Sequence, residues 1–434
     1  MDVTDIIDPL NDAQREAVTA PDRPTLVLAG AGSGKTRVLV HRVAWVIRVN
    51  GVAAQHVLAV TFTNKAAAEM RDRVEALLGV PTRNLWIGTF HGLSHRLLRI
   101  HWREAGLVEG FQIMDSEDQH RMVKRMIRAL ELDENVWVPK EIQWFINAQK
   151  DEGLRPKDLR DEGNAGRRQM IDLYARYEQF CAASSVIDFG ELLLRSLELL
   201  RDNAEIAQMY QRRFQHVLVD EFQDTNAIQY RWLRMLAGPA GKPFVVGDDD
   251  QSIYRFRGSS YAAFLAFDER FSGPPRHAPD SRPPGEPTRM RIDRNFRSLP
   301  EIVTVANRLI GRNEFRYLAD KSLVADRDGV AAPVQLVTCA GPDDEAAAII
   351  ERIRQLSGWD PARADAPRVP WGHFAVLYRK HKHREAIETR LRSEGIPYTV
   401  TGGLSLFRTP EIRDLEAALR VLADPRRTWS SAGS

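Results

Sequence analysis

The sequence predicts an α/β fold built on a parallel sheet, and three features carry that expectation. The first is Leu26-Val-Leu-Ala-Gly-Ala-Gly-Ser-Gly-Lys-Thr-Arg37, an apolar run that turns through glycines into a helical stretch. Second, short apolar runs alternate with helical segments: Val57-Leu-Ala-Val-Thr-Phe-Thr before Asn64–Leu78, then Trp86-Ile-Gly-Thr-Phe before a helix from His91 to about Arg103. Third, Val217-Leu-Val-Asp-Glu and Phe244-Val-Val-Gly-Asp each end an apolar strand in acidic residues. Strands that lack polar alternation are buried on both faces, as in parallel sheets covered by helices. Ligands of such sheets bind outside the carboxyl ends of the strands, where the glycines and acids fall here.

The 434 residues suggest about two to four domains. Basic and acidic residues number 61 and 59, a balance that excludes neither nucleic acid nor a small anion, because a local basic groove can sit inside it. Cys181 and Cys339 are the only cysteines, which argues against a disulfide framework or a cysteine-rich metal site. The acidic start MDVTDIIDPL lacks the features of a signal peptide, and no apolar run approaches the ~20 residues that span a bilayer. A cytoplasmic protein without a membrane segment is expected.

In chain order, LNDAQREAVTA over 10–20 reads as a helix capped by Asn11 or Asp12. The glycine loop and a helix through Val49 follow, then the two further strand–helix units. From Asp115 to about Tyr210 the pattern changes to charged amphipathic helices, read as an insertion in the sheet domain. Residues 272–288, SGPPRHAPDSRPPGEPT, are too dense in proline for a helix or inner strand and are expected to be a surface linker. Beyond it a second α/β domain is expected. Its strands fall near Met290–Ile292, at Val334–Cys339, at Phe374–Tyr378 and at Tyr398–Thr401, and its helices start at Pro300, Asp343 and Pro410.

The glycine loop is a candidate phosphate site. Gly30, Gly32 and Gly34 permit positive φ, so successive N–H groups and the helix N-terminus behind them form an anion nest. Lys35 would place its charge on the outer phosphates and the Thr36 hydroxyl would join a Mg²⁺ shell. The strict pattern has Gly where this chain has Ala29. Asp220 is the expected carboxylate for the metal, and Glu221 the expected base for an attacking water. Gln251 could orient that water or sense the terminal phosphate. Arg297 could reach the γ-phosphate as arginine fingers do. Aromatic residues beside polar donors (Phe62 between Thr61 and Thr63, Phe90 before His91, Phe256 between Arg255 and Arg257) are candidates for stacking unpaired bases.

With these stretches in view, the chain resembles the N-terminal part of a UvrD/Rep/PcrA-type superfamily one DNA helicase. The likeness runs through LNDAQREAV, LAGAGSGKTRVLVHR, AVTFTNKAAAEMRDRV, WIGTFHGLSHRLLR, DFGELLLR, LVDEFQDTNAIQY, VVGDDDQSIYRFRGS, RNFRS and GGLSLFRTPEIRD. It implies a P-loop NTPase with a RecA-like domain 1A over 1–110 and 205–271, a helical 1B over 111–204, the 272–288 linker, and the first part of a RecA-like 2A over 289–434. The implied reaction is ATP hydrolysis driving 3′-to-5′ movement on single-stranded DNA, with separation of 3′-tailed duplexes and DNA-repair proteins as partners.

By the same resemblance Ala29, Gly30, Ala31, Gly32, Ser33, Gly34, Lys35 and Thr36 hold the phosphates. Gln14 would read the adenine edge, and Arg37 and Phe296 would sandwich its ring. Gln251 and Arg297 would meet the γ-phosphate from either side of a cleft. Phe62, Asn64, Thr89, His91, Phe189, Tyr254, Phe256 and Arg257 would line the DNA track. The family usually has tyrosine where Phe296 stands and Gly-Trp where Arg255-Phe256 stands, and its connection at 272–288 is shorter. The chain stops where the family's second helical insertion begins. An incomplete second sheet is therefore expected, and the alternative reading is an ATP- and DNA-binding remnant without unwinding activity.

Overall fold

The computed structural model describes residues 3–79, 85–238, 241–253, 288–314, 316–329, 333–359 and 368–401, with the isolated positions 264, 267, 412, 415 and 419. Two compact units divide the chain, Met1–Pro333 and Val334–Ser434.

The first unit opens with helices α1 (Thr4–Ile7) and α2 (Asp12–Val18). Asn11 caps α2, its side chain accepting the Gln14 N–H while the Gln14 side chain accepts the Asn11 N–H, a reciprocal capping box. Then follow β1 (Thr25–Ala29), α3 (Lys35–Arg48), β2 (Val57–Thr61), α4 (Asn64–Leu78), β3 (Trp86–Thr89) and α5 (Phe90–Ile100). The α4 cap is Thr63, whose side chain accepts the Ala66 N–H.

The expected insertion is helical. A short strand β4 (Gln112–Ile113) precedes α6 (Ser116–Ala129), α7 (Pro139–Asp151) and α8 (Ala165–Ala183). Its parallel partner β5 (Val186–Ile187) leads into α9 (Phe189–Asp202) and α10 (Ala204–Arg213). Leucines 192, 193 and 194 of α9 enter the same core as Phe90 of α5, so this helix is welded to the sheet domain.

The chain returns through β6 (His216–Val219), α11 (Ala227–Ala237), β7 (Pro243–Gly247) and β8 (Thr288–Ile292). The six long strands form one sheet in the order β3-β2-β6-β7-β1-β8, every pair parallel. Alternate residues leave opposite faces of a strand. Leu26, Leu28, Leu58, Val60, Val217 and Val219 accordingly enter the core on one face, and Val27, Ala29, Val57, Ala59 and Leu218 the core on the other.

Two expectations are corrected. The strand near Met290–Ile292, assigned from sequence to the second domain, is the edge strand of the first sheet, in register from Thr25↔Thr288 to Ala29↔Ile292. A strand carries no local mark of which sheet will accept it, and here the free ladder of β1 does. Of the expected 272–288 linker only Thr288 is described, and it opens β8. The remainder of this unit has β9 (Arg294–Asn295), α12 (Pro300–Ile310) and β10 (Val324–Ala325), the two strands pairing in parallel.

The second unit contains α13 (Pro342–Ser357) and α14 (Arg384–Ser393), packed through Ala346, Ile350 and Ile353 against Ile387, Leu391 and Ile396. Val334–Cys339, Phe374–Tyr378 and the described residues of Tyr398–Thr401, expected as strands, have no strand pairing among the described residues. A strand exists only through the ladder that satisfies its backbone, and among the described residues these segments have none. Leu336 and Leu377 are 96% and 94% exposed. The expected helix from Pro410 lies mostly outside the described residues.

Candidate active site

The glycine loop joins the carboxyl end of β1 to the first turn of α3. Gly32 and Gly34 take φ of +66° and +88°, values open to glycine and strained for other residues. The Ser33 hydroxyl donates to the Gly30 carbonyl at 2.7 Å. Three successive carbonyls are held by donors from elsewhere: Ala31 by Asn295 Nδ2 (2.7 Å), Gly32 by the Phe296 N–H (3.0 Å) and Ser33 by Gln14 Nε2 (2.7 Å). Because a peptide is planar, fixing these carbonyls also fixes the direction of the loop's N–H groups. Ala29, where the strict motif has glycine, is a buried residue at the end of β1.

Opposite the loop stand the acids at the end of β6. Thr36 Oγ1 donates to Asp220 Oδ2 at 3.4 Å, and Lys35 Nζ lies 3.5 Å from Glu221 Oε2. Asp220 is 5% exposed. Burial, then the neighbouring Glu221 carboxylate, push its pKa up to about 7, with Lys35 and Thr36 partly opposing. Glu221 sits in the left-handed region (φ 48°, ψ 48°), a conformation that costs a non-glycine residue about 1–2 kcal/mol. Gln223 Nε2 donates to its Oε2 at 2.7 Å. Burial and Glu221 also push half-buried Asp224 up to about 6. The Thr36 hydroxyl and the Asp220 carboxylate are hard oxygen donors side by side, a set that suits Mg²⁺.

The remaining nucleotide candidates are distributed around this centre. Gln251 donates through Nε2 to Asp248 Oδ2 at 2.6 Å, and the Asp248 N–H donates to Gln223 Oε1 at 2.9 Å. Arg297, placed from sequence in a second domain, belongs to the first unit. It lies two residues beyond β9, and a Cβ on Gly32 would come within 2.8 Å of its own Cβ. Gln14 is 2% exposed, its amide engaged by Ser33 and Asn11. Arg37 donates to the Pro9 carbonyl at 3.3 Å, and Phe296 is 38% exposed.

Four of the DNA-track candidates meet in one cleft of about 390 Å³: Phe62, Thr89, His91 and Phe189. Thr89 Oγ1 donates to Asn64 Oδ1 at 3.3 Å, which joins a fifth to them. The His91 and Phe189 rings meet edge to face with centroids 6.0 Å apart, and burial lowers the His91 pKa. Phe189 is 52% exposed. Phe90, a base-stacking candidate from sequence, is instead core, packed edge-on against Trp232. Tyr254, Phe256 and Arg257 lie outside the described residues.

Sequence reasoning missed Gln223 and Asn295. The first bridges Glu221 to Asp248, and its position in the run Asp220-Glu-Phe-Gln-Asp224 was the available signal. The second holds the glycine loop from a segment 264 residues away, and no local pattern marks it.

Residues 10–272 match the UvrD/REP helicase N-terminal domain, and residues 290–432 match the UvrD-like helicase C-terminal domain. The chain is 45% identical over 424 residues to DNA helicase II of Escherichia coli, covering 98% of this chain and 56% of that protein. It is 42% identical over 426 residues to DNA helicase II of Haemophilus influenzae (97% and 55% covered). Against the ATP-dependent DNA helicase UvrD1 of Mycobacterium tuberculosis the identity is 37% over 435 residues (97% and 53%). The chain thus spans about half the length of these relatives.

Proposed function

The chain belongs to the UvrD/REP helicase family, and from that premise we propose that it binds ATP with Mg²⁺ and couples its hydrolysis to 3′-to-5′ movement along single-stranded DNA. The observation that carries this reading is the convergence of Lys35 and Thr36 on Glu221 and Asp220, acids brought from about 184 residues further along the chain. In the proposed reaction the loop N–H groups and Lys35 bind the β- and γ-phosphates. Thr36 and Asp220 hold the ion, which when bound offsets phosphate charge. Glu221, oriented by Gln223, accepts a proton from a water as that water's oxygen attacks the γ-phosphorus; ADP leaves with the bond's electron pair. Gln251 and Arg297 contact the γ-phosphate, and Gln14, Arg37 and Phe296 hold the adenine.

Phe62, Asn64, Thr89, His91 and Phe189, with Tyr254, Phe256 and Arg257, form the proposed DNA track, where rings stack bases and donors hold the backbone. The proposed partners are 3′-tailed duplex DNA and repair proteins, and the proposed location is the cytoplasm. No described helix is long and apolar enough to cross a membrane. A second reading, ATP and DNA binding without strand separation, is favoured by the segments around exposed Leu336 and Leu377, which have no strand pairing among the described residues.

ATP turnover with and without an oligothymidylate, beside Lys35→Ala, tests the first reading. Turnover stimulated by DNA and lost in the variant is expected; failure to bind nucleotide would overturn it. Robust separation of a 3′-tailed but not a 5′-tailed duplex removes the second reading.

A further inference from the structure

Lys321 enters the neighbourhood of the site from the segment after α12, and the proposed mechanism gives it no role. Its side chain is 2% exposed. An ammonium has three N–H donors, and here each meets a different carboxylate: Asp248 Oδ1 at 2.5 Å, Asp249 Oδ1 at 2.8 Å and Asp250 Oδ2 at 2.9 Å. These acids lie close enough together to suit a cation, and Lys321 fills that place. The same segment adds a fork from Arg316 to both Asp250 oxygens (2.8 Å each) and the Tyr317 N–H to Asp249 Oδ2 (2.7 Å). The loop over 248–251 is therefore clamped by its side chains to residues about 70 positions later.

The clamp leads to groups placed above in the reaction. Asp248, gripped by Lys321 through Oδ1, receives Gln251 Nε2 on Oδ2 at 2.6 Å. Its backbone N–H donates to Gln223 Oε1, and Gln223 Nε2 donates to Glu221 Oε2. We propose that Lys321 is a positioning residue for Gln251, and through Asp248 and Gln223 for Glu221. The proposal rests on the ATPase reading for its kinetic consequence but not for its geometry. Without Lys321, the three crowded carboxylates keep Arg316 as their cation among the described residues, and it reaches only Asp250; their repulsion turns Asp248 and releases Gln251. Such hydrogen-bonded groups act as a unit, so their losses are not additive.

The test uses the full 434-residue chain with Lys321→Met, Lys321→Arg, Gln251→Ala and the Lys321→Met/Gln251→Ala double variant. Lys321→Met is expected to lower kcat for ATP at least about tenfold with KM changed less than about threefold. Lys321→Arg, which keeps the charge, recovers part of the loss. The double variant falls further than Gln251→Ala alone but by less than the two single losses combined, because Lys321 also acts on Glu221 through Gln223. An unchanged kcat, or losses that add, overturns the proposal. Turnover is normalised to the folded fraction, measured by binding of a fluorescent ATP analogue. Amide exchange reads the clamp without turnover: residues 248–253 should exchange at least about tenfold faster in Lys321→Met while β1 and β6 keep their protection. No change over 248–253 overturns the proposal even if the chain hydrolyses nothing. Absent turnover with the exchange result intact faults the ATPase reading and leaves the clamp standing.

Discussion

Asn295 Nδ2 donates to the Ala31 carbonyl at 2.7 Å, and its Oδ1 accepts the N–H groups of Arg297 (3.0 Å) and Ser298 (2.7 Å). One buried amide therefore ties the glycine loop to the turn that carries Arg297. Asn295→Ala leaves a carbonyl and two N–H groups without these partners, at a cost of about 1–3 kcal/mol. Asn295→Asp keeps the acceptor and loses the donor, so its urea-unfolding midpoint should fall between those of the parent and the alanine variant.

Gly32→Ala meets two penalties at once, a φ of +66° and a Cβ 2.8 Å from both Asn295 Nδ2 and Arg297 Cβ. A loss of about 1–3 kcal/mol is expected, with ATP affinity reduced at least about tenfold by calorimetric titration. Gly51→Ala is the control. Its φ is +69° with nothing within 4 Å of the added Cβ, so only the backbone term of about 1 kcal/mol applies and ATP binding is unchanged.

Asp220 gives a pH signature whose sign is fixed by its raised pKa. The unfolded chain releases this proton near 3.8 and the folded chain near about 7, so folding holds the proton more tightly. Its contribution to ligand-free stability is therefore greatest below 3.8, declines as pH rises toward about 7, and is level above. Half-buried Asp224, raised to about 6, adds the same sign. Asp220→Asn should flatten this part of the curve of unfolding free energy against pH. Metal–nucleotide binding requires the carboxylate and should weaken about tenfold for each pH unit below the Asp220 pKa.

Lys150 is 2% exposed, 2.7 Å from Asp188 and 2.9 Å from Glu191, with Tyr177 also donating to Asp188. Lys150→Met leaves buried Asp188 without its cation, while Glu191 keeps Arg155 and Arg195, at a cost of about 3–5 kcal/mol in denaturant unfolding. Replacing Asp188 by Asn in the same chain should recover part of that loss, because the stranded charge is removed.

Phe189 begins α9 with half of its surface exposed in the cleft beside His91. Phe189→Ala should leave the melting temperature nearly unchanged and weaken single-stranded DNA binding, by anisotropy, by about 1–3 kcal/mol, the worth of one stacked base. Phe90→Ala should do the reverse, since that ring is core.

Much of the candidate site is legible in the sequence. The loop at 26–37, the acids Asp220 and Glu221 at a strand end, and the alternation of apolar runs with helices are local patterns, and local backbone chemistry makes them what they are. Asn295, Gln223 and Lys321 were not legible, because a buried amide or ammonium is recognised by partners that the chain supplies from elsewhere. The burial of Phe90 at the floor of the cleft that exposed Phe189 lines was likewise hidden, since neighbouring aromatic residues look alike until packing sends one inward.

By itself the sequence determined that this chain makes a parallel α/β sheet with a glycine-rich loop at one strand end and two acids at another. Only the tertiary structure decided that Thr288–Ile292 completes that same sheet and that Arg297 stands on the glycine loop's own unit. The reason is physical. Strand periodicity shows that a segment can pair, whereas hydrogen-bond ladders and buried ion pairs are satisfied by whichever distant groups the fold brings within about 3 Å.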